Sequence, residues 1–342
     1  MKVRTGIRRN IAVLCAVFFV GGGATVSAQD VSLSQISDAM DDFASGMAVV
    51  LPFNAAMGLN WADAHIGRFP RFGVGISGGF TTLDFGPFSN LLDMLAPGVS
   101  EQVTTWGGFP LPGVILEGRL GGFFLPFDIG AKVGFLPTSP DAFDRLDYFS
   151  AGADIRYAVL EQGRIVPAIS LGVGLNHLSG GVSRGLGDQS FTNTVDIAGT
   201  PVTQTINVTG PSLEIDWATT TIDLKAQISR SLAIVTPYVG FGASHGWSRV
   251  SYGLNAGDIS SPDLPNLDEL REVLGGFGID TSQVDSVLSG FSSETSILGW
   301  GFRLFGGVSF NLPLIRLDLT GMWNLSVDAP SYGVTLGARL QI

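Results

Sequence analysis

After about residue 70 the chain alternates apolar and polar residues with a period of two. The clearest run sets Phe127, Ile129, Ala131, Val133 and Phe135 against Asp128, Gly130, Lys132 and Gly134. Side chains of a strand point alternately to its two faces, so this segment presents one apolar face and one polar face. The same alternation predicts strands over Phe72 to Phe80, Val114 to Leu120, Phe127 to Phe135, Phe149 to Tyr157 and Ile165 to Leu175. It continues over Thr220 to Ile228, Val235 to Ala243, Leu298 to Phe310, Ile315 to Val327 and Tyr332 to Ile342, about ten strands in all. No later segment supplies the run of roughly 18 apolar residues that a spanning helix needs.

The position of the charges separates a soluble sandwich from a membrane barrel. Glu117, Arg119, Asp128, Lys132, Asp154, Arg156, Asp223, Lys225, Arg303, Arg316, Asp318 and Arg339 all take the parity opposite the large apolar residues of their own strands. A charge on the lipid face of a barrel costs up to about 2–4 kcal/mol at the midplane, whereas the interior tolerates it. These twelve residues are therefore expected to line a lumen. Connections alternate as well. Short ones lie near Phe124–Pro126, Glu161–Arg164, Ser229–Ser231 and Asn311–Pro313, and long ones near Gly86–Phe109, Thr138–Arg145, Ser179–Pro211 and Asn255–Glu294. Only the last hairpin, at Asp328-Ala329-Pro330, is short on the long side. Short periplasmic turns with long outer loops are the outer-membrane arrangement, and an even strand count places both chain ends on the periplasmic side. Trp217, Trp247, Trp300, Trp323, Tyr157 and Tyr332 fall where aromatic girdles are expected.

The residues before the strands divide in two. Lys2, Arg4, Arg8 and Arg9 precede an apolar run from Ile11 to Val20, and Val26-Ser27-Ala28 follows as a cleavage signal, so residues 1–28 read as a signal peptide. Cys15, the one cysteine, sits inside the apolar run behind the bulky Leu14, which does not suit a lipid-modified N-terminus. In residues 29–70, Leu33, Ile36, Met40, Phe43, Met47 and Val50 recur at helical steps, with Gln35, Asp38, Asp41 and Asp42 opposite them. An amphipathic helix of about four turns is expected there. Residues 71–342 then form the barrel. Further helical stripes fall in the long loops: Leu264, Leu267, Leu270 and Leu274 before Gly275-Gly276; Val284, Val287, Leu288 and Phe291 after Asp280; and Phe88, Leu91, Leu92 and Leu95.

Composition narrows the function classes. Only 14% of the 342 residues are charged and 45% are hydrophobic, unlike the roughly 25% charged of soluble domains. The net charge of −11, with few basic clusters, opposes nucleic-acid binding, and one cysteine excludes a disulfide framework or a Cys-rich metal site. Beyond Ala28 the charge is −15. The Asn255–Glu294 loop holds eight acidic residues and one basic residue, Arg271, a solvated acidic surface or an attractor of cations.

The last residues, Thr335-Leu336-Gly337-Ala338-Arg339-Leu340-Gln341-Ile342, resemble the assembly signal on the final strand of bacterial outer-membrane barrel proteins, many of which end in Phe where this chain has Ile342. With the leader and the alternating strands, the resemblance spans nearly the whole chain. It implies a transmembrane antiparallel up-and-down β-barrel of about ten strands, outer-membrane lipid as its surroundings, and the barrel-assembly machinery as a partner read through Thr335–Ile342. The N-terminal helix is similar to the N-terminal hatch of the long-chain fatty-acid transporter family, whose barrels are usually larger. It is expected either to plug the lumen or to lie beneath the barrel as a periplasmic tether.

Three roles follow. The first is porin- or transporter-like passage or binding of small solutes, hydrophobic ones included. The lumen for it is either salt-bridged and nearly closed or a narrow, mildly positive channel. Inward Gly130, Gly134, Gly240, Gly242, Gly301 and Gly307 would leave space for the channel. The second is a non-transporting surface barrel that displays loops for adhesion or envelope architecture. The third is lipid hydrolysis, since His177-Leu178-Ser179 has the His-x-Ser spacing of outer-membrane phospholipase A and outward parity, but lacks that family's longer motif and an assigned orienting Asn or Asp. His65 precedes the barrel, and His245 beside Gly246-Trp247 reads as a boundary residue. No phosphate loop, dinucleotide fingerprint or metal-binding His pair occurs, so no catalytic residue, cofactor or metal is expected.

Overall fold

The computed structural model describes residues 33–66, 71–83, 109–122, 125–136, 144–185, 188–197, 200–210, 212–255, 258–260, 291–326 and 331–341. One helix, α1 (Leu33–Ala55), is followed by thirteen strands: β1 (Arg71–Leu83), β2 (Phe109–Gly121), β3 (Phe127–Phe135), β4 (Arg145–Leu160), β5 (Ala168–Gly185), β6 (Gln189–Ile197), β7 (Thr200–Thr209), β8 (Ser212–Ser229), β9 (Val235–Asn255), β10 (Asp258–Ser260), β11 (Phe291–Asn311), β12 (Ile315–Asn324) and β13 (Tyr332–Gln341). Ten of them close an antiparallel barrel in the order β1-β13-β12-β11-β9-β8-β5-β4-β3-β2. The seam pairs β1 with β13 from Gly73↔Gln341 to Thr81↔Gly333. A separate sheet of order β10-β7-β6 is carried by the connections at one end.

The barrel is apolar outside and charged inside, the reverse of a water-soluble protein. Large apolar residues of the strands are half exposed, as in Ile76 at 50%, Ile155 at 50%, Leu224 at 48% and Leu319 at 46%, while Arg119, Asp128, Lys132, Asp154, Asp223 and Arg303 are buried. Closure leaves the barrel without a free sheet edge, the condition that a sheet in hydrocarbon has to meet. Among the described residues no helix is long and apolar enough to cross a membrane; the strands form the crossing surface. Trp247, Trp300 and Trp323 stand outward toward the long-connection end and Tyr157 toward the short-turn end, each half exposed.

Several expectations require correction. Trp217 points inward and is buried, its ring lying over Gly180, whose added Cβ would come 2.7 Å from it. β5 starts at Ala168 instead of Ile165 because Pro167 has no N–H for the ladder, and Ile165 is left 81% exposed in the turn. β12 ends at Asn324, before Val327. The Ser179–Pro211 connection is largely strand: β5 continues to Gly185, and β6 and β7 form a hairpin. Phe291 and Glu294, assigned to a loop helix and to the acidic loop, are the first residues of β11. The other residues of the three loop-helix stripes, and residues 1–28, lie outside the described residues.

β5 and β8 have 18 residues and β9 and β11 have 21, about twice the 9–11 that cross a bilayer. Their surplus projects beyond the apolar band at the long-connection end. Arg145, Asp147, Glu214, Asp216, Arg249 and Glu294 have outward parity there, with Arg145 2.8 Å from Glu214 and 2.5 Å from Asp216, and Arg249 3.3 Å from Glu294. Outward charge begins only where lipid contact ends.

The test is a charge in the middle of the band. Leu224→Arg is expected to destabilise the folded barrel by about 2–4 kcal/mol in lipid, read from urea unfolding in vesicles, with Leu224→Ile close to the parent protein.

Candidate functional site: the lumen

The helix lies inside the barrel, not beneath it. It is also longer than the four turns expected, because the apolar stripe runs on through Leu51 and Phe53 to Ala55. Met40, Phe43, Met47, Val50, Leu51 and Phe53 are buried against wall residues including Leu178, Ile215, Trp217, Val250, Tyr252 and Phe305, so the half of the lumen nearest the long connections is packed like a protein core. Gly301 faces the helix, and an added Cβ there would make an ordinary contact with Pro52 at 3.7 Å. Past Ala55 the chain turns at Gly58 and Leu59, with φ of +84° and +56°. Glycine takes this conformation freely, whereas leucine is strained in it by about 1–3 kcal/mol and stays there only if its surroundings hold it. Both main-chain groups of Leu59 are held: its N–H donates to Glu117 Oε2 at 2.5 Å, and its carbonyl accepts from Arg119 at 2.8 Å and Lys225 at 3.0 Å.

All twelve residues expected to line the lumen have inward parity, and ten of them form three groups. In the first, Arg119 reaches Asp128 at 2.8 Å and Asp154 at 2.7 Å, Arg156 reaches Asp128 at 2.5 Å, and Lys225 pairs with Asp154. In the second, Arg303 forms a two-pronged bond to Asp223 at 2.6 and 2.8 Å, and Ser244 donates to the same carboxylate at 2.8 Å. In the third, near the short turns, Arg316 and Arg339 lie 2.7 and 3.4 Å from Asp63, and Asp318 lies 2.9 Å from Arg339. Lys132 donates to the carbonyls of Ala55 at 2.7 Å and Met57 at 2.5 Å, where the negative end of the α1 dipole attracts a cation. Glu117 holds Leu59, as above.

The partners that sequence reasoning missed come from residues 56–66, which have no periodicity to read. Asp63 is buried among three arginines, since Arg71 also approaches to 3.1 Å. The Trp61 ring lies under Arg339 at 4.5 Å and Arg119 at 5.6 Å. The only available signal was one acid and one Trp, two residues apart, in a stretch whose other polar side chains are Asn60 and His65.

Gly130, Gly240 and Gly242 do not open a channel. An added Cβ on Gly130 would fall 2.5 Å from Asp154 Oδ1, on Gly242 2.5 Å from the Arg303 guanidinium and on Gly240 2.3 Å from the Phe305 ring. Their space holds side chains from neighbouring strands. Between Trp61, Asp63, Arg71 and Arg119 there is a gap of about 10 Å³, roughly one water. A larger pocket of about 500 Å³ lies toward the long connections, but its lining mixes inward residues such as Tyr148 and Trp217 with outward ones such as Asp147, Phe149, Asp216 and Arg249, so it is not a cavity of the lumen.

His177 is on the outward face of β5, and its Nδ1 is 2.9 Å from Thr220 Oγ1. Ser179 lies two residues along on the same outward face, and the hydrogen bond of the imidazole is to Thr220, not to Ser179. His245 lies between Trp247 and Trp300, tilted to both rings, with centroids 6.1 and 4.7 Å away. His65 pairs with Glu161 at the short-turn end.

No protein-family model matches the chain, and no curated protein matches it in sequence. Solved structures of bacterial outer-membrane barrels are similar to it in architecture. The outer-membrane protease OmpT of Escherichia coli is 9% identical over 81% of this chain and 98% of that one, with a TM-score of 0.40. The translocator domain of the autotransporter NalP of Neisseria meningitidis is 8% identical over 90% and 99%, with a TM-score of 0.36. Ail of Yersinia pestis is 12% identical over 80% and 99%, with a TM-score of 0.27. These values give no residue correspondence, and the chemistry of the lumen is read from its own side chains.

Removing one member of a buried pair leaves the other charge uncompensated. Asp223→Ala is expected to cost about 3–5 kcal/mol in unfolding experiments, and the double variant Asp223→Ala with Arg303→Met to recover part of that loss.

Proposed function

We propose that the protein is an outer-membrane barrel closed at rest by its own N-terminal segment, whose role is to hold structure at the cell surface. The observation that carries this reading is the occupied lumen: apolar packing fills one half and paired charges fill the other. Supporting it, β5, β8, β9 and β11 extend past the apolar band and carry the β10-β7-β6 sheet at the long-connection end. Outer-membrane lipid is the solvent of the outward face. Thr335–Ile342, which includes most of the closing strand β13, is the segment we assign to the assembly machinery.

Passage of small solutes is the second reading, favoured by residues 56–66 being held in the lumen by polar bonds and ion pairs rather than by helix packing. In this reading the third charge group is the latch.

Planar-bilayer recording separates the two. The full chain is expected to carry no steady current. Asp63→Ala, which leaves Arg71, Arg316 and Arg339 without their shared carboxylate, is expected to stay silent in the surface-structure reading and to open in the passage reading. A steady current through the unaltered protein would overturn closure at rest.

A further inference from the structure

The direction of the N-terminal segment inside the barrel is set by contacts at three depths. Near the long connections, Asp41 accepts hydrogen bonds from Tyr252 at 2.9 Å and Ser293 at 3.1 Å; these residues lie close to the last residue of β9 and the first of β11. At mid-depth Lys132, in the centre of β3, holds the end of α1. Next to the short turns Asp63 meets Arg71, Arg316 and Arg339, from the first residues of β1 and β12 and the last of β13. The chain therefore descends from the long-connection mouth to the short-turn end before β1 begins. From Asp41 back to Leu33 the helix continues for eight residues, about 12 Å further toward that mouth.

The wall holds this segment chiefly by its main chain. Every second carbonyl from residue 55 to residue 65 accepts a bond from a wall side chain: Ala55 and Met57 from Lys132, Leu59 from Arg119 and Lys225, Trp61 from Gln227, Asp63 from Arg156, and His65 from Arg71. Such a row of donors suits an extended polypeptide, and it is directional. A helix inserted the other way would set the positive end of its dipole against Lys132.

We propose that the barrel is threaded by its own chain: the lumen is a binding site for polypeptide main chain, and α1 enters it from the long-connection mouth, so that its first residue, Leu33, is directed to the outside of the cell. This rests on the outer-membrane reading, which puts the long connections outside. It also sets the N-terminal end opposite to the C-terminal strand, in contrast to an even-stranded barrel whose ends share one side.

The test uses the full chain with one short epitope per variant, inserted between Asp30 and Val31, within the 137–143 connection, or within the 230–234 turn. Each is labelled with antibody on intact and on permeabilised cells. A companion variant, Asp41→Cys with Ser293→Cys, is oxidised to a crosslink with and without the Asp30 epitope, to establish that the helix stays in place. The expected result is labelling of the 30–31 and 137–143 epitopes on intact cells, labelling of the 230–234 epitope only after permeabilisation, and a crosslink in both backgrounds. If the 30–31 epitope behaves like the turn while the 137–143 epitope labels on intact cells, threading is wrong and the orientation stands. If the turn labels and the 137–143 epitope does not, the orientation is wrong, and threading then stands or falls on whether the 30–31 epitope follows the 137–143 epitope. Absence of the crosslink overturns the placement of the helix itself.

Discussion

Hydrocarbon around the girth is the constraint from which the rest of the structure follows. A charge turned outward at mid-membrane is costly, so the charges of the strand centres all turn inward, where they lie too deep to be solvated individually. They must then be neutralised by one another or by something placed among them. The twelve lumen residues comprise seven basic and five acidic side chains, and the surplus of donors has to be met from elsewhere. Residues 55–65 meet it with the Asp63 carboxylate and a row of main-chain carbonyls. The segment inside the barrel is thus the electrostatic complement of the wall.

The two halves of the lumen solve the problem of a closed interior differently. Near the long connections, where the wall offers Leu178, Ile215, Trp217 and Val250, an apolar helix fills the space by packing. Near the short turns, where the wall is charged, an apolar helix would leave buried ions unpaired. The helix stops there: Gly58 and Leu59 turn the chain, and irregular main chain presents the carbonyls that a helix would have used internally. The strain at Leu59 is held by three charged wall residues on its two main-chain groups.

Glycine makes this density possible. Arg303 lies across Gly242, Phe305 across Gly240, and Arg119 with Asp154 over Gly130. In a barrel of only ten strands, long side chains cross the lumen where the next strand has no side chain of its own, and Gly130, Gly240 and Gly242 mark such crossings instead of openings.

The ten barrel strands, their inward and outward faces and the inward parity of the twelve charges were legible in the amino-acid order, because strand geometry has a period of two and lipid penalises each misplaced charge separately. Those are local rules that a single chain segment obeys alone. Trp217 misled because an aromatic residue suits a membrane boundary and a core equally, and only its neighbours Gly180 and Val250 make the inner face the better site. The filling of the lumen was not legible either. Whether α1 enters or lies beneath, which carbonyl Lys132 reaches and why Asp63 matters all depend on groups brought together across as many as 276 residues, as between Asp63 and Arg339. Local pattern determined the container. What occupies it was decided only when the barrel closed, because burying so many charges requires partners that no single strand contains.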